Sequence, residues 1–273
     1  MKKIICTLLA MLMIATCFAA CTGSETKETS YADLAIACEL TSEEYGIGFR
    51  KGSDLAKEVD AIMAELMEDG TLDALATEYE LTLVPDAEPN FDEEPTVADL
   101  EYIKANGKLI IGITDYAPMN YKDTEGKWTG FDTEFAEAVC EKLGVTAEFQ
   151  EIDWDNKFLA LESKSIDCIW NGMTISDEVL TNTSCSKAYV KNAQVVVLAK
   201  DKAEEYKTPE DMKDLTFAVE AGSAGAAAAE EFGLEYVEAN TQTDALLEVT
   251  SGSSDACIID LTMAETMING AAK

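Results

Sequence analysis

Hydrophobic and polar positions alternate between strand-like and helix-like spacing through most of the chain. Leu109–Ile113 is a short apolar run typical of a buried strand, whereas Phe131–Leu143 has apolar residues at helical spacing. The second half repeats the alternation, with strands predicted at Thr216–Val219 and Ala256–Ile259 and a helix at Ala224–Phe232. Alternating strands and helices build parallel sheets covered by helices, so the pattern predicts an α/β fold, and its two blocks suggest two lobes.

The segments before this alternation have a different pattern. Ser53 is expected to cap a helix that ends at Gly70, and Thr71 is expected to cap a second helix. Three of the five prolines then fall in the acidic stretch 82–97, which is typical of an extended linker. Further strands are expected at Thr146–Gln150, Ile166–Trp170, Gln194–Ala199 and Glu235–Val237, and further helices at Phe158–Leu161 and Asp244–Val249.

The N-terminus has the layout of a secretory signal. Two lysines precede an apolar run, so residues 1–20 are expected to direct export and to be removed. Cys21 follows Phe18–Ala20, which resembles the lipobox of bacterial lipoproteins apart from the phenylalanine in place of the usual leucine. The resemblance implies lipidation at Cys21, with residues 21–30 as a lipid-anchored tether. The alternative is ordinary cleavage beside an unmodified cysteine.

Composition narrows the chemistry that the chain can perform. The 273 residues include 53 acidic and 20 basic ones, a formal net charge of −33, which argues against a nucleic-acid partner because phosphate binding needs lysine and arginine clusters. Histidine is absent, so we expect no metal, no cofactor and a function in binding. Five cysteines lie beyond Cys21 without CxxC spacing, and Cys168 and Cys257 are expected to pack in the core.

Several short motifs together resemble a known family. They are Ile-Gly-Ile-Thr-Asp-Tyr-Ala-Pro (111–118), Gly-Lys-Trp-Thr-Gly-Phe-Asp (126–132), Asn-Gly-Met-Thr-Ile-Ser (171–176), Gln-Val-Val-Val-Leu-Ala-Lys (194–200), Ala-Val-Glu-Ala-Gly-Ser (218–223) and Asp-Ala-Cys-Ile-Ile-Asp (255–260). In this combination they resemble the amino-acid-type (family 3) solute-binding proteins of bacterial ABC transporters. The resemblance implies a two-lobed periplasmic-binding-protein-like fold, each lobe a mostly parallel sheet flanked by helices, which closes over a small solute.

The order of the segments differs from that family. Residues 44–79 resemble the family's C-terminal segment, yet here they come first. We therefore expect a circular permutation, in which residues 48–197, including the linker, form the first lobe and residues 31–47 and 198–273 form the second. Leu34–Ala37 should then add a strand to the sheet of the second lobe. A fusion of gene fragments is the alternative.

The resemblance also implies where a solute would bind. Tyr116 and Trp154 match aromatic positions that flank the solute, and Asp115 matches a position that can hold a basic side chain. The other matches are hydrogen-bonding groups: Gly172 and Thr174 in one loop, Gly222 and Ser223 at a helix N-terminus, and Asp260 as the carboxylate that takes an α-amino group. The residues alone also allow Tyr116 to be a plain loop residue, Trp154 an exposed strand-end anchor and Asp260 a helix cap.

Three positions depart from the family's pattern. Its carboxylate-binding arginine is Val179 here, Met119 stands where an aromatic residue is usual, and Ala224 replaces a hydroxyl. The chain's one arginine, Arg50, lies in a different segment, so a bidentate contact to a solute carboxylate is impossible at the usual place. Because the predicted site carboxylates then lack a counter-charge, we expect an amine-bearing or cationic solute rather than an acidic amino acid.

Three functions are compatible with these features. The first is a lipid-anchored extracytoplasmic receptor that delivers a small polar solute, amine-bearing or amino-acid-like, to the membrane permease of an ABC transporter. The second is an enzyme of the same fold, since some dehydratases resemble these proteins, with Asp115, Asp260 or tyrosines as acid or base. The third is a sensor or structural lipoprotein. Turnover of prephenate-like substrates would identify the enzyme, and failure to pull down a permease would favour the third.

The lipid anchor can be tested in cells. Protein expressed in a bacterium is expected to partition into a detergent phase with acyl groups on Cys21, whereas the Cys21→Ala variant is expected to stay unprocessed or to remain in the aqueous phase. Equal partitioning of the two proteins would contradict lipidation.

Overall fold

The strands and helices follow the predicted alternation. A computed structural model describes residues 31–90 and 94–270, so the predicted signal, the Cys21 lipidation site and the tether lie outside the described residues. The strands are β1 (Leu34–Arg50), β2 (Lys108–Ile113), β3 (Tyr121–Lys122), β4 (Trp128–Thr129), β5 (Thr146–Glu151), β6 (Cys168–Thr174), β7 (Thr183–Cys185), β8 (Val190–Ala199), β9 (Thr216–Glu220), β10 (Glu235–Ala239) and β11 (Ala256–Asp260). The α-helices are α1 (Leu55–Glu68), α2 (Thr71–Glu78), α3 (Asp99–Asn106), α4 (Phe131–Leu143), α5 (Lys157–Glu162), α6 (Asp177–Asn182), α7 (Ala224–Phe232), α8 (Gln242–Ser251) and α9 (Leu261–Asn269).

Two groups of parallel strands lie at the two ends of one mixed sheet. The described strand order is β10-β9-β11-β8-β1-β6-β2-β5, with β7 paired to β1 beside this path and β3 and β4 in a separate hairpin. Strands β9, β10 and β11 are parallel at one end, and β2, β5 and β6 are parallel at the other. The antiparallel strands β8 and β1 lie between them and connect the two groups.

Strand β1 belongs to both groups because of its length. Its first part, from Leu34 to Tyr45, pairs with β8, which pairs in turn with β11, and its last part pairs with β6 and β7. The predicted strand at Leu34–Ala37 is therefore confirmed, next to the group that contains β11. The observed strand is much longer than this segment, with 17 residues.

Aromatic side chains and buried thiols fill much of the core. The rings of Phe131 and Tyr189 stack with centroids 6.2 Å apart, and Phe135 meets Trp170 edge-on at 4.8 Å. The predicted burial of Cys168 and Cys257 is confirmed, and all five described cysteines are free thiols. Met119, which stands where the family usually has an aromatic residue, is also fully buried.

Arg50, at the end of β1, is buried in an ionic cluster. Its Nε donates to Asp99 Oδ2 and its Nη2 donates to Asp167 Oδ1, both at 3.0 Å, while Nη1 donates to the carbonyl of Ile166 at 2.8 Å. These bonds tie β1 to α3 and to the segment before β6. A guanidinium held in this way serves the fold rather than a ligand.

The predicted caps of α1 and α2 are wrong. Helix α1 follows Asp54, so Ser53 is not its N-cap. Gly70, with a φ of 82°, is the N-cap of α2 in place of Thr71, and it also follows the C-cap of α1, Asp69, so the prediction that Gly70 ends the first helix is confirmed. Glycine adopts this left-handed conformation without steric cost, which allows the sharp turn between the two helices.

The extended stretch predicted at 82–97 is held at both ends in the part that the structure describes. Val84 N donates to the carbonyl of Tyr189 at 3.0 Å, and Thr96 N donates to the carbonyl of Gly52 at 2.8 Å. Within the described ranges, no helix is both long and apolar enough to cross a lipid bilayer.

Candidate functional site

A cavity of about 230 Å³ is lined by both groups of parallel strands. Seven of the eight predicted solute-binding residues line it: Tyr116, Trp154, Gly172, Thr174, Gly222, Ser223 and Asp260. They lie at or just beyond the carboxyl ends of strands, the edge where open α/β sheets bind ligands. A larger groove of about 640 Å³, beside Tyr79 and Tyr121, contains none of them.

Asp115 does not belong to the cavity lining. Its side chain is exposed, whereas the next residue, Tyr116, is buried and faces the cavity. The preceding residue, Thr114, is fixed by donating its backbone N and its Oγ1 to Asn171 Oδ1, at 3.0 and 2.7 Å. Neighbouring residues of an extended segment face opposite sides, so placing Tyr116 inward turns Asp115 outward.

Asp260, at the end of β11, is buried and surrounded by donors. Its Oδ1 accepts from Tyr45 Oη at 2.8 Å, from Gln194 Nε2 at 2.9 Å and from Asn192 Nδ2, and its Oδ2 accepts from Gln242 Nε2. Asp260 precedes α9, yet its side chain makes no capping hydrogen bond, so the alternative interpretation as a side-chain cap does not hold. The carboxyl is instead the centre of a polar network at the cavity.

Glu43 joins Asp260 in what we call the carboxylate pair. Glu43 Oε1 accepts from Asn192 Nδ2 at 2.7 Å and from Gln194 Nε2 at 2.8 Å, the same two amides that donate to Asp260. It also accepts from Thr174 Oγ1 at 2.8 Å. Burial and then the Glu43 charge raise the pKa of Asp260 to about 8, because neighbouring carboxyl groups resist ionising together.

Three hydroxyls form a chain beside the pair. Tyr45 Oη lies 2.5 Å from Tyr116 Oη, and Tyr116 Oη lies 2.6 Å from Thr262 Oγ1. Tyr116 is only 2% exposed, so its ring faces the cavity with its hydroxyl fixed inside the protein. The simple loop interpretation of Tyr116 is therefore wrong.

Trp154 and Lys157 form another part of the cavity lining. Trp154 is buried rather than exposed, at the start of a 3₁₀ turn that runs to Asn156. Lys157 Nζ lies 5.1 Å from its ring centroid and donates to the carbonyls of Trp154 and Gly222, at 3.3 and 2.8 Å. Burial lowers the pKa of Lys157, against the raising effect of Glu178 and other nearby carboxylates.

Both groups expected to bind a solute from the loop at β6 already have protein partners. Gly172 N donates to Asp132 Oδ2 at 2.6 Å, and the Thr174 hydroxyl donates to Glu43. Gly172 has a φ of 55°, and a Cβ there would lie 2.6 Å from Tyr116 Cε1. The glycine is therefore required for the close approach of the tyrosine ring.

Gly222 and Ser223 bring the two sides of the cavity together. A Cβ on Gly222 would lie 2.9 Å from the Cα of Asp155, so only glycine allows this approach. The Ser223 side chain accepts from Ala226 N at 3.2 Å and caps α7. With the Lys157 bond to Gly222, these contacts join the two sides of the cavity.

The charge of the cavity lining is strongly one-sided. Five carboxyl groups line it, from Glu43, Glu178, Glu220, Glu231 and Asp260, against one cation, Lys157. Val179, which stands in place of the family's arginine, is buried in the same lining. Burial and then the Asp260 charge raise the pKa of Glu220 to about 8. The lining therefore matches a positively charged guest better than an anion.

Sequence reasoning missed Glu43, Lys157, Glu220 and Gln242. Glu220 could have been found, because it directly follows the predicted strand Thr216–Val219 and ends the observed β9, and strand ends face the ligand crevice in this kind of sheet. Glu43 reaches the cavity because β1 crosses the middle of the sheet, which no local pattern reveals. Lys157 and Gln242 open helices without any motif that marks them.

Comparison with protein families identifies this architecture. Residues 109–248, just over half of the chain, match the model of the bacterial extracellular solute-binding proteins, family 3. The chain belongs to this family.

Known relatives of this family 3 protein include amino-acid-binding proteins. The arginine-binding extracellular protein ArtP of Bacillus subtilis is 32% identical over 58% of this chain and 63% of its own length. The chain thus spans less than two thirds of that relative. The ancestral amino acid-binding protein AncCDT-1, described as a precursor of cyclohexadienyl dehydratase, is 34% identical with a TM-score of 0.57, covering 60% of this chain and 74% of its own.

A solved structure confirms the predicted fold class of this family 3 protein. The arginine-bound form of truncated ArgBP from T. maritima is 32% identical with a TM-score of 0.60, and the match covers 62% of this chain and 81% of that one. The two-lobed α/β periplasmic-binding-protein-like architecture is therefore the fold of this protein.

Proposed function

We propose that this protein captures a small amine-bearing or cationic, amino-acid-like solute in its cleft and delivers it to the permease of an ABC transporter. The observation that carries the proposal is the charge of the cavity lining, with five carboxyl groups, of which Glu220 and Asp260 are buried, one lysine, and Val179 in place of the carboxylate-binding arginine. Charge buried away from water is costly unless it is paired, so a guest that brings positive charge is favoured. A solute anion would face the opposite balance.

The relatives support binding rather than turnover. The proteins that the chain resembles include arginine-binding proteins, one of them in an arginine-bound structure. The resemblance to AncCDT-1 keeps an enzyme of the same fold as the alternative, and Glu220 is the group that would serve it, because a carboxyl with a pKa near 8 is protonated at neutral pH. Consumption of a prephenate-like substrate by the purified protein would favour that alternative.

A thermal-shift panel tests the preferred solute. L-Arginine, L-lysine or 1,5-diaminopentane at about a hundred times the dissociation constant should stabilise the protein by ~2.7 kcal/mol. For a protein of this size that corresponds to a rise in Tm of about 5–10 °C. L-Glutamate and L-aspartate should give no comparable shift.

A variant provides the matched control for this panel. Val179→Arg restores a guanidinium at the family's usual position, so it should strengthen binding of a neutral amino acid such as L-norleucine by ~1.5–3 kcal/mol. A larger Tm shift with glutamate or aspartate than with the cationic solutes would refute the proposed preference.

We further propose that the protein acts outside the cytoplasm as a membrane-anchored lipoprotein. The N-terminal signal pattern and the lipobox-like residues before Cys21 support this, together with membership of an extracellular family. Detergent partitioning of the wild type and of Cys21→Ala is the deciding experiment.

The circular permutation is proposed on the position of β1. This strand comes first in the chain, and it completes the centre of the sheet between β8 and β6. The part of the chain that matches the family model begins only at residue 109, after the whole of residues 31–97, which is compatible with the order that a permutation produces. Two lobes, with 48–197 in the first and with 31–47 and 198–273 in the second, follow from this arrangement.

Restoring the usual order tests the permutation. A chain in which residues 98–270 come first and residues 31–81 follow through a flexible Gly/Ser linker of about ten residues should fold with the same circular dichroism spectrum. It should also bind the same cationic solute within about threefold of the original affinity, since no contact in the cleft is lost. An unfolded or non-binding rearranged chain, alongside a normal original, would contradict the permutation.

A further inference from the structure

Glu220 is a buried carboxyl with an oxygen that nothing in the protein satisfies. It ends β9, is 3% exposed, and lines the cavity. Four buried side-chain atoms in the described ranges have no hydrogen-bond partner, those of Asp60, Asp132, Trp170 and Glu220, and Glu220 is the one of these residues that lines the cavity. A buried polar atom without a partner is costly, so its retention at a ligand cavity calls for an explanation.

The surrounding side chains compensate the charge of Glu220 only in part: burial and the Asp260 charge raise its pKa, and they outweigh the Lys157 charge and Gln242, which lower it. Lys157 is the single basic residue in the cavity lining, yet its Nζ is used by the carbonyls of Trp154 and Gly222. No ion pair joins Lys157 to Glu220 among the described residues. Gln242 gives its amide to Asp260 and is also a hydrogen-bonding neighbour of Glu220, so it connects the two carboxyl groups without bringing charge.

We propose that Glu220 is a second cation subsite, which receives the far positive charge of a solute whose first ammonium group binds at the carboxylate pair of Glu43 and Asp260. The solute would then carry two positive charges at the ends of a short aliphatic chain. This inference rests on the proposed function of the same cleft, and it adds the number and placement of the solute's charges.

The walls of the cavity fit the middle of such a molecule. Tyr116 and Trp154 present ring surfaces to the cavity, and Val179 adds an aliphatic surface. Methylene groups pack well against such surfaces, while the ends of the chain meet carboxyl groups. A cavity of about 230 Å³ admits a small solute but not a long polyamine or a peptide.

Two kinds of molecule share this chemistry, an alkyl diamine and a basic amino acid. The matched probes are 1,5-diaminopentane against 1-aminopentane, and L-lysine against L-norleucine, each pair differing by one terminal ammonium group. Comparison of 1,5-diaminopentane with L-lysine shows in addition whether a carboxylate on the solute is tolerated where Val179 replaces the arginine.

The experiment measures all four affinities by isothermal titration calorimetry at pH 7 for three proteins. These are the wild type, Glu220→Gln, and Glu238→Gln, an exposed control on β10 that makes the same substitution outside the cavity. In at least one pair, the wild type and Glu238→Gln should bind the doubly charged member at least tenfold more tightly than its partner. Glu220→Gln should reduce that ratio to about threefold or less while still binding the singly charged member.

The outcomes separate this inference from the proposed function. If amines bind but the wild type does not distinguish either pair, or if Glu220→Gln keeps the full ratio, the second subsite is refuted while the cationic preference stands. If none of the probes binds the wild type, both proposals are overturned. The thermal unfolding midpoint of Glu220→Gln, measured without ligand, shows whether the variant is folded.

Discussion

Carboxyl groups buried in a cavity must be paired, hydrogen-bonded or protonated. In this protein the buried carboxyl groups differ in how many hydrogen-bond donors they receive. Asp260 receives four side-chain donors, and Glu43 receives three, two of which are shared. Glu220 keeps one oxygen without a partner. Because an isolated charge is costly in such surroundings, burial favours the protonated forms of Asp260 and Glu220 and raises the pKa of each to about 8.

The donors that satisfy the carboxylate pair come from the strands that connect the two lobes. Glu43 and Tyr45 are two residues apart on β1, and Asn192 and Gln194 are two residues apart on β8, so each pair lies on one face of its strand. Glu43 is directly opposite Asn192 in the register. The same two strands therefore join the two groups of parallel strands and hold Glu43 and donors to Asp260.

The sequence predicted helices and strands well where the pattern was local and strong. Phe131–Leu143 and Ala224–Phe232 form helices with the predicted bounds, since their apolar spacing and flanking glycines act within the segment. The caps at Ser53 and Thr71 were wrong because the turn at Gly70 is set by the packing of two helices. Among the site residues, those at strand ends were predictable. Asp115 was not, because its side chain faces away from the cavity while that of the next residue, Tyr116, faces it. Glu43 could not be predicted because its position depends on pairing with a strand far away in the sequence.

The central claim is that a bound cation takes the place of protons on Asp260 and Glu220, whose pKa values are both raised to about 8 in the unliganded cleft. An ammonium group beside a carboxyl favours its charged form and lowers its pKa, so binding at pH 7 must release protons. Calorimetric titration of 1,5-diaminopentane in phosphate and in Tris buffer at pH 7 measures this directly, because the binding enthalpy then varies with the ionisation enthalpy of the buffer. We predict the release of between one and two protons per molecule bound, because a carboxyl with a pKa of about 8 is about nine-tenths protonated at pH 7. Proton uptake, binding heat that is independent of the buffer, or no binding heat at all would contradict the account.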